Sequence, residues 1–213
     1  MEFQEFLKYI PKIEKETLPA IEAQLKMAPL ERISSLKENF YDLNDLRKAA
    51  VMMLFYPKNS ITHLALIIRN KYPGIHSSQI AFPGGKVEPE DKDLEETALR
   101  ETFEEIGISP NQIKVIRSFT EIYIPPSKFL VYPFLGISLT DIYFNPSEAE
   151  VAGMIELPLK MFLDESNVVN VKMTTSYAVD IEVPAFKFDE HIVWGATAMM
   201  MSELKEVIKK VLK

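Results

Sequence analysis

Cysteine is absent from the 213-residue chain, which removes disulfides, zinc–thiolate sites, thiolate nucleophiles and iron–sulfur clusters together. Basic charge is in deficit: 24 Lys plus Arg stand against 31 Asp plus Glu, a formal charge of −7. A dominant role on nucleic acid or on an anionic membrane needs the opposite balance, so neither is expected as a partner. Long apolar runs are also missing. The longest charge-free stretches, 129–140 and 192–202, fall well short of the roughly 20 apolar residues that span a bilayer. The segment Met1-Glu2-Phe3-Gln4-Glu5-Phe6 carries acid where a signal peptide carries base, and a cytoplasmic location is the expectation. Histidine is limited to positions 63, 76 and 191, and glycine to seven positions.

What is present is a globular composition. Hydrophobic residues make up 47% of the chain, enough for a sizeable core and far from the regime of disordered chains. From Glu2 to about Asp45 apolar residues recur at helical spacing, as in Phe6, Tyr9, Ile10 and Ile13, with Pro11 and Pro19 dividing the run into short helices. Short apolar blocks at 49–55 and 61–68 flank the turn residues of 56–60 and predict two paired strands. A further strand at 79–82 runs into Pro83-Gly84-Gly85, and 93–106 reads as a helix closed by Gly107. Beyond it, strands are predicted at 113–123, 129–136, 150–157, 168–177 and 179–188, with a last helix over 196–212. Many strands with few helices predict an α/β (α+β) fold in which helices cover a mixed sheet.

Two of the seven glycines, Gly84 and Gly85, are adjacent. A Gly-Gly pair between a strand and a helix allows a tight turn and lets a ligand approach the main chain with no Cβ in the way. In the helix that follows, at about 100° per residue and with Glu101 as zero, Glu105 falls near +40° and Glu104 near −60°. Leu99, Phe103 and Ile106 fall on the opposite side. An acidic face is ordinarily just solvated, but like charges at these spacings repel unless a cation sits among them. Hard divalent cations take carboxylate oxygens and commonly bridge to substrate phosphates. Bare backbone for a phosphate beside carboxylates for its metal is a plan for phosphoryl chemistry.

These residues resemble the Nudix box: Gly85, five residues, Asp91, eight residues, Arg100-Glu101, then Glu104-Glu105 and Gly107-Ile108. The acid is Asp91 where the family pattern has Glu, the spacing to Arg100 is one residue longer, and Thr102 replaces an aliphatic residue. Phe82-Pro83-Gly84-Gly85-Lys86 and Thr97-Ala98-Leu99-Arg100-Glu101 look like the coenzyme A diphosphatase branch, which shares the longer spacing. The upstream signature of that branch is matched at Arg69, Ile80 and Phe82 to Gly85, while Gly74 and Ser78 depart from it. The resemblance covers about residues 48–210.

The resemblance implies a Nudix-type α/β/α sandwich at 48–213, with 1–47 as an N-terminal helical extension. It implies a metal-dependent diphosphatase, with coenzyme A or its thioesters as substrate and 3′,5′-ADP and (acyl-)4′-phosphopantetheine as products. ADP-ribose, a dinucleotide or a nucleoside triphosphate is the alternative substrate, and a non-catalytic nucleotide-binding module the alternative class. Mg²⁺ or Mn²⁺ would be held by Glu101 and Glu105, with Glu104 an added ligand or helper. Glu104 and Glu150 are both open as general base, with Glu105 counted among the catalytic carboxylates. Gly84 and Gly85 would shape the turn that receives substrate, Arg69 and Lys86 would meet its phosphates, and His76 would reach it. Arg100 reads as an ion-pair partner within the protein, and His63 and His191 as structural. The expected partner is a small nucleotide, and a homo-oligomer is compatible with the sequence.

Overall fold

Strand β1 (Arg47–Lys58) is apolar on both faces, and its alternation divides the molecule. Ala49, Val51, Met53 and Phe55 enter one core, while Ala50, Met52, Leu54 and Tyr56 enter a second on the opposite side. Successive side chains of a strand point to opposite faces, so a strand apolar at every position must be covered on both. In this computed structural model, which describes residues 1–30, 33, 46–70, 79–173 and 181–213, helices supply both covers.

β1 is the hub of an eight-stranded sheet. It pairs antiparallel with β2 (Ile61–Arg69), and β3 (Ile80–Ala81) in turn lies against the far end of β2. β4 (Gly84–Lys86) pairs antiparallel with Ala49 to Val51 of β1. Along its other edge β1 runs parallel to β7 (Phe129–Ile137), whose outer edge carries β5 (Lys114–Ser118) and β6 (Ile122–Ile124). β8 (Val151–Pro158) closes the outer edge of β2. A second sheet, in the order β11 (His191–Trp194), β10 (Ile181–Phe188), β9 (Val168–Met173), packs into the first core.

Helices α1 (Phe3–Leu7), α2 (Ile10–Lys15) and α3 (Ile21–Leu25) precede the sheet, and Phe3, Phe6, Ile10 and Ile13 are buried in the first core. α4 (Leu94–Ile106) covers the opposite face through Ala98 and Ile106. After the short α5 (Leu159–Leu163), α6 (Gly195–Leu212) returns to the first core, burying Met199, Met200, Met201, Leu204 and Val207. The mixed sheet between helical layers is the architecture the sequence predicted. Among the described residues, no helix is long and apolar enough to cross a membrane.

The differences from the sequence reading have local causes. The turn predicted over 56–60 is only two residues long, because Asn59 and Ser60 both take positive φ (50° and 66°) and let β1 continue to Lys58; this is the backbone of a tight, twist-matched hairpin. The stretch 113–123 breaks into β5 and β6. β4 was not predicted as a strand, since two of its three residues are glycine, and the open edge of β1 makes it one. α5 and β11 were likewise unpredicted. The strand ends read at 174–177 and 179–180 lie outside the described residues.

The N-terminal helices are fixed by polar ties as well as by burial. Arg117 Nη1 donates to the carbonyls of Ile13 (3.2 Å), Glu14 (3.0 Å) and Glu16 (2.7 Å), satisfying the C-terminal end of α2. Glu203 of α6 is buried; its carboxylate accepts from Ala20 N (3.0 Å), Thr120 N (3.2 Å) and Thr120 Oγ1 (2.6 Å). Burial raises its pKa against the opposing pull of those donors. Because every one of these partners donates, Glu203→Gln must turn an amide N–H₂ toward an N–H or hydroxyl. The expected loss is about 1–3 kcal/mol, measured by urea unfolding, with Ala20 and Thr120 amides exchanging faster.

Candidate active site

The site forms where β4 passes under α4. Gly84 has φ +151°, and a Cβ there would overlap the Ala50 carbonyl and Val51 of β1. At Gly85 a Cβ would overlap the carboxylate of Glu101. The two glycines therefore have separate reasons: the first lets β4 approach β1, the second lets a carboxylate lie directly on the backbone. α4 starts at Asp93, whose side chain accepts from Glu96 N (2.9 Å), and ends at Gly107 with φ +76°. Its last carbonyls are satisfied by the following loop, where Asn145 N donates to Ile106 O and Ser147 N to Glu105 O, both at 2.9 Å. That loop delivers Glu150 to the start of β8, where its carbonyl accepts from Asn70 N (2.9 Å).

Arg100 is held on every side. Nε and Nη2 form a fork on Asp91 at 2.8 and 3.0 Å, Nη1 reaches Glu101 (3.1 Å) and Glu104 (2.9 Å), and Nη2 also donates to Lys86 O (3.0 Å). The Asp91 side chain is 2% exposed and additionally accepts from Thr97 Oγ1 (2.8 Å) and Glu88 N (2.9 Å). The forked Arg100 guanidinium holds the Asp91 carboxyl far below the usual carboxylate range. Arg100 thus ties the loop after β4 to α4 from within, as its position on the helix predicts.

Glu105 is the most deeply placed carboxylate, with 1% of its side chain exposed. Oε1 accepts from Arg69 Nη1 (2.7 Å), Oε2 accepts from Gly84 N (2.7 Å), and Arg69 Nη2 donates to Gly84 O (2.9 Å), closing a ring. Burial pushes its pKa up to about 7, opposed by Arg69 and Gly84 and reinforced by the charges of Glu101 and Glu150. Burial also raises Glu101, Arg100 opposes that shift, and Glu104 and Glu150 add to it. Glu150 therefore lies close enough to act on both carboxylates.

The structure brings Arg69, Gly84, Gly85, Glu101, Glu104 and Glu105 together, with Lys86 exposed at the edge. His76 lies outside the described residues, as do Gly74 and Ser78 of the upstream signature. His63 Nδ1 lies 2.9 Å from Ile61 O, away from these residues. One expectation from the helix faces is corrected: Phe103, placed by angle on the apolar side opposite the carboxylates, is 53% exposed, while Glu105 on the acidic side is fully buried. The apolar stripe gave the wrong tilt because the Arg69–Glu105–Gly84 ring, which joins segments far apart in sequence, draws the acidic face inward. Arg69, expected from the resemblance to meet phosphate, instead donates to Glu105 (2.7 Å), a pairing that has no local sequence signal.

A bare glycine strand packed against a carboxylate helix, under one face of a mixed sheet, defines an α/β protein of the Nudix type. Residues 45–175 match the NUDIX domain family, and the chain belongs to it. It is similar to the uncharacterized Nudix hydrolase NudL of Yersinia enterocolitica, 33% identical over 145 residues that cover 68% of this chain and 73% of that protein. It is also similar to the chloroplastic Nudix hydrolase 22 of Arabidopsis thaliana, 31% identical over 168 residues covering 76% of this chain but 55% of the relative. In fold it is similar to the Nudix hydrolase RenU of M. smegmatis, with TM-score 0.53, 14% identity and coverage of 76% and 86% of the two chains. A MutT/nudix family protein from Enterococcus faecalis aligns with TM-score 0.51, 16% identity and coverage of 92% and 80%. The chain is accordingly a Nudix hydrolase, of the class of pyrophosphatases acting on acid anhydrides.

Nudix hydrolases generally use divalent cations such as Mg²⁺ or Mn²⁺. Among the described residues no three His, Asp or Glu side chains form a ready cage for one, since Arg69 and Arg100 draw the carboxylates to themselves. The donor chemistry nevertheless fits. Glu101, Glu104 and Glu105 offer hard oxygens, and both the burial that raises Glu101 and Glu105 and the neighbouring carboxylate charges that add to it are offset by a cation.

Two outcomes are expected. Gly85→Ala should displace the Glu101 carboxylate and lower turnover by about 100-fold while the thermal midpoint moves little, read from kcat and a melt on the same sample. Asp91→Asn should cost about 3 kcal/mol at neutral pH by leaving Arg100 without its fork. Asp91 titrates lower in the folded than in the unfolded chain, so its contribution is complete above its unfolded value of about 4 and is lost as pH falls below it. The gap between the two proteins in urea melts should therefore narrow in acid.

Proposed function

We propose that this Nudix hydrolase cleaves the diphosphate of coenzyme A or its thioesters, giving 3′,5′-ADP and (acyl-)4′-phosphopantetheine. The observation that carries the reading is the lengthened box. The extra residue before Arg100 lets Asp91, shorter than the usual Glu, still meet the guanidinium in a fork at 2.8 and 3.0 Å, so the departure is built into the site and matches the coenzyme A branch. The Phe82 to Lys86 run supports the same branch.

In this reading Glu101 and Glu105 hold a Mg²⁺ or Mn²⁺ ion, with Glu104 as an added ligand. The ion would polarise the diphosphate oxygens and lower the pKa of an attacking water. Glu150 is the better-supported general base: its charge acts on both Glu101 and Glu105, whereas Glu104 is engaged by Arg100. Gly84 and Gly85 receive the diphosphate against bare backbone, and exposed Lys86 meets a phosphate. His76 is proposed as a substrate contact. Residues 1–47 are proposed as an N-terminal helical extension of the catalytic domain at 48–213, its described helices at 3–25 sharing that domain's core while 31–32 and 34–45 lie outside the described residues, and a cytoplasmic location is part of the same proposal.

Gly74 and Ser78, which depart from the branch signature, favour a second reading in which ADP-ribose or another nucleoside diphosphate derivative is the substrate. Incubation with Mg²⁺ or Mn²⁺ and, separately, coenzyme A, ADP-ribose, NADH and a nucleoside triphosphate decides between them by mass spectrometry. Selective release of 3′,5′-ADP, absent with Glu105→Gln, is expected, and Lys86→Ala should reduce coenzyme A cleavage more than that of ADP-ribose. Preferential cleavage of ADP-ribose would overturn the assigned substrate and leave the reaction type standing.

A further inference from the structure

We infer that Arg69 is a built-in stand-in for the metal: its guanidinium bridges Glu105 and the Gly84 carbonyl in the cation-free protein and yields them when a divalent cation binds. The inference rests on the metal-dependent reading above. Its basis is geometric. Arg69 Nη1 lies 2.7 Å from Glu105 Oε1 and Nη2 lies 2.9 Å from Gly84 O, so one planar cation holds two hard oxygens contributed by two different elements. A divalent cation prefers oxygens of the same two kinds.

The fold aims Arg69 there. Ala65 and Ile67 of β2 face the core under α4, and Arg69 is next in that alternate row. The pairing of β2 with β8 shifts register at this point, Ile68 facing Gly153 and Arg69 facing Val151, so the extra residue, Ala152, lies on β8 and β2 keeps the alternation that carries Arg69 into the row. The need for a stand-in is equally clear. Glu105 has 1% of its side chain exposed against 23% for Arg69, so without a positive partner the protein would bury an uncompensated carboxylate next to Glu101 and Glu150. The more exposed partner is the one free to swing aside. Once displaced, Arg69 would remain at the rim with its charge available to a substrate phosphate, so that loading the metal and arming the arginine become one event.

The test compares the natural chain with Arg69→Met, Arg69→Lys and Glu105→Gln, using Mn²⁺ alone as probe. Binding is followed by calorimetry and by the electron paramagnetic resonance of free Mn²⁺, and melts are run with and without the ion. Arg69→Met should lower the metal-free midpoint, bind Mn²⁺ about tenfold more tightly because a competitor held by charge-assisted hydrogen bonds is gone, and recover most of the lost midpoint at saturating Mn²⁺. Arg69→Lys keeps the charge and loses the fork; it should tighten binding by a smaller factor, and it carries the test if Arg69→Met does not fold. Unchanged or weaker Mn²⁺ binding in these variants, or a midpoint gap that persists at saturation, would overturn the inference and make Arg69 a fixed clamp. Binding that is lost in Glu105→Gln but indifferent to Arg69 sinks the inference alone. No binding in either the natural chain or Arg69→Met sinks the metal-dependent reading with it.

Discussion

A carboxylate buried between a sheet and a helix needs its donors supplied from both, and Glu105 sets that requirement here. Its oxygens are met by the backbone of β4 and by a side chain from β2. α4 can therefore sit in only one depth and rotation on the sheet. That depth presses Glu101 onto Gly85 and excludes a Cβ at that position. It also brings Arg100 over the loop that carries Asp91. The bare Gly85 and the Asp91–Arg100 fork both sit where that seating of the helix places them.

The second layer of the fold has a different logic. The N-terminal helices are short and individually unable to persist; they are held by aromatic and aliphatic burial and by donors and acceptors reached across the chain, from Arg117 and Glu203. Their attachment face is the one opposite α4, so among the described residues the carboxylate helix and the N-terminal helices pack into separate cores on the two sides of the sheet.

Much of this was legible in the sequence. Helix α4, its caps, the glycine turn and most strands announce themselves through period and punctuation, and the spacing of Asp91, Arg100, Glu101, Glu104 and Glu105 identifies the family. Partners distant in sequence were not legible. That Arg69 closes on Glu105 depends on β2 and β4 both pairing along one edge of β1, which no local pattern states. Phe103 misled for the same reason: amphipathicity measures the average face of a helix, and here one buried ion pair outweighs it. β4 was hidden because its residues have little preference for a strand and are recruited by an edge.

The double-sided strand at the centre has a consequence for how the protein can change. Odd-numbered residues 49–55 of β1 serve one core and even-numbered residues 50–56 the other, so a single inserted or deleted residue within the strand would exchange the two sets and present each helical layer with side chains shaped for its opposite. Insertions at the Asn59–Ser60 corner touch neither set. Evolutionary drift in length is thereby channelled to the loops, and the central strand is left to vary only by replacement.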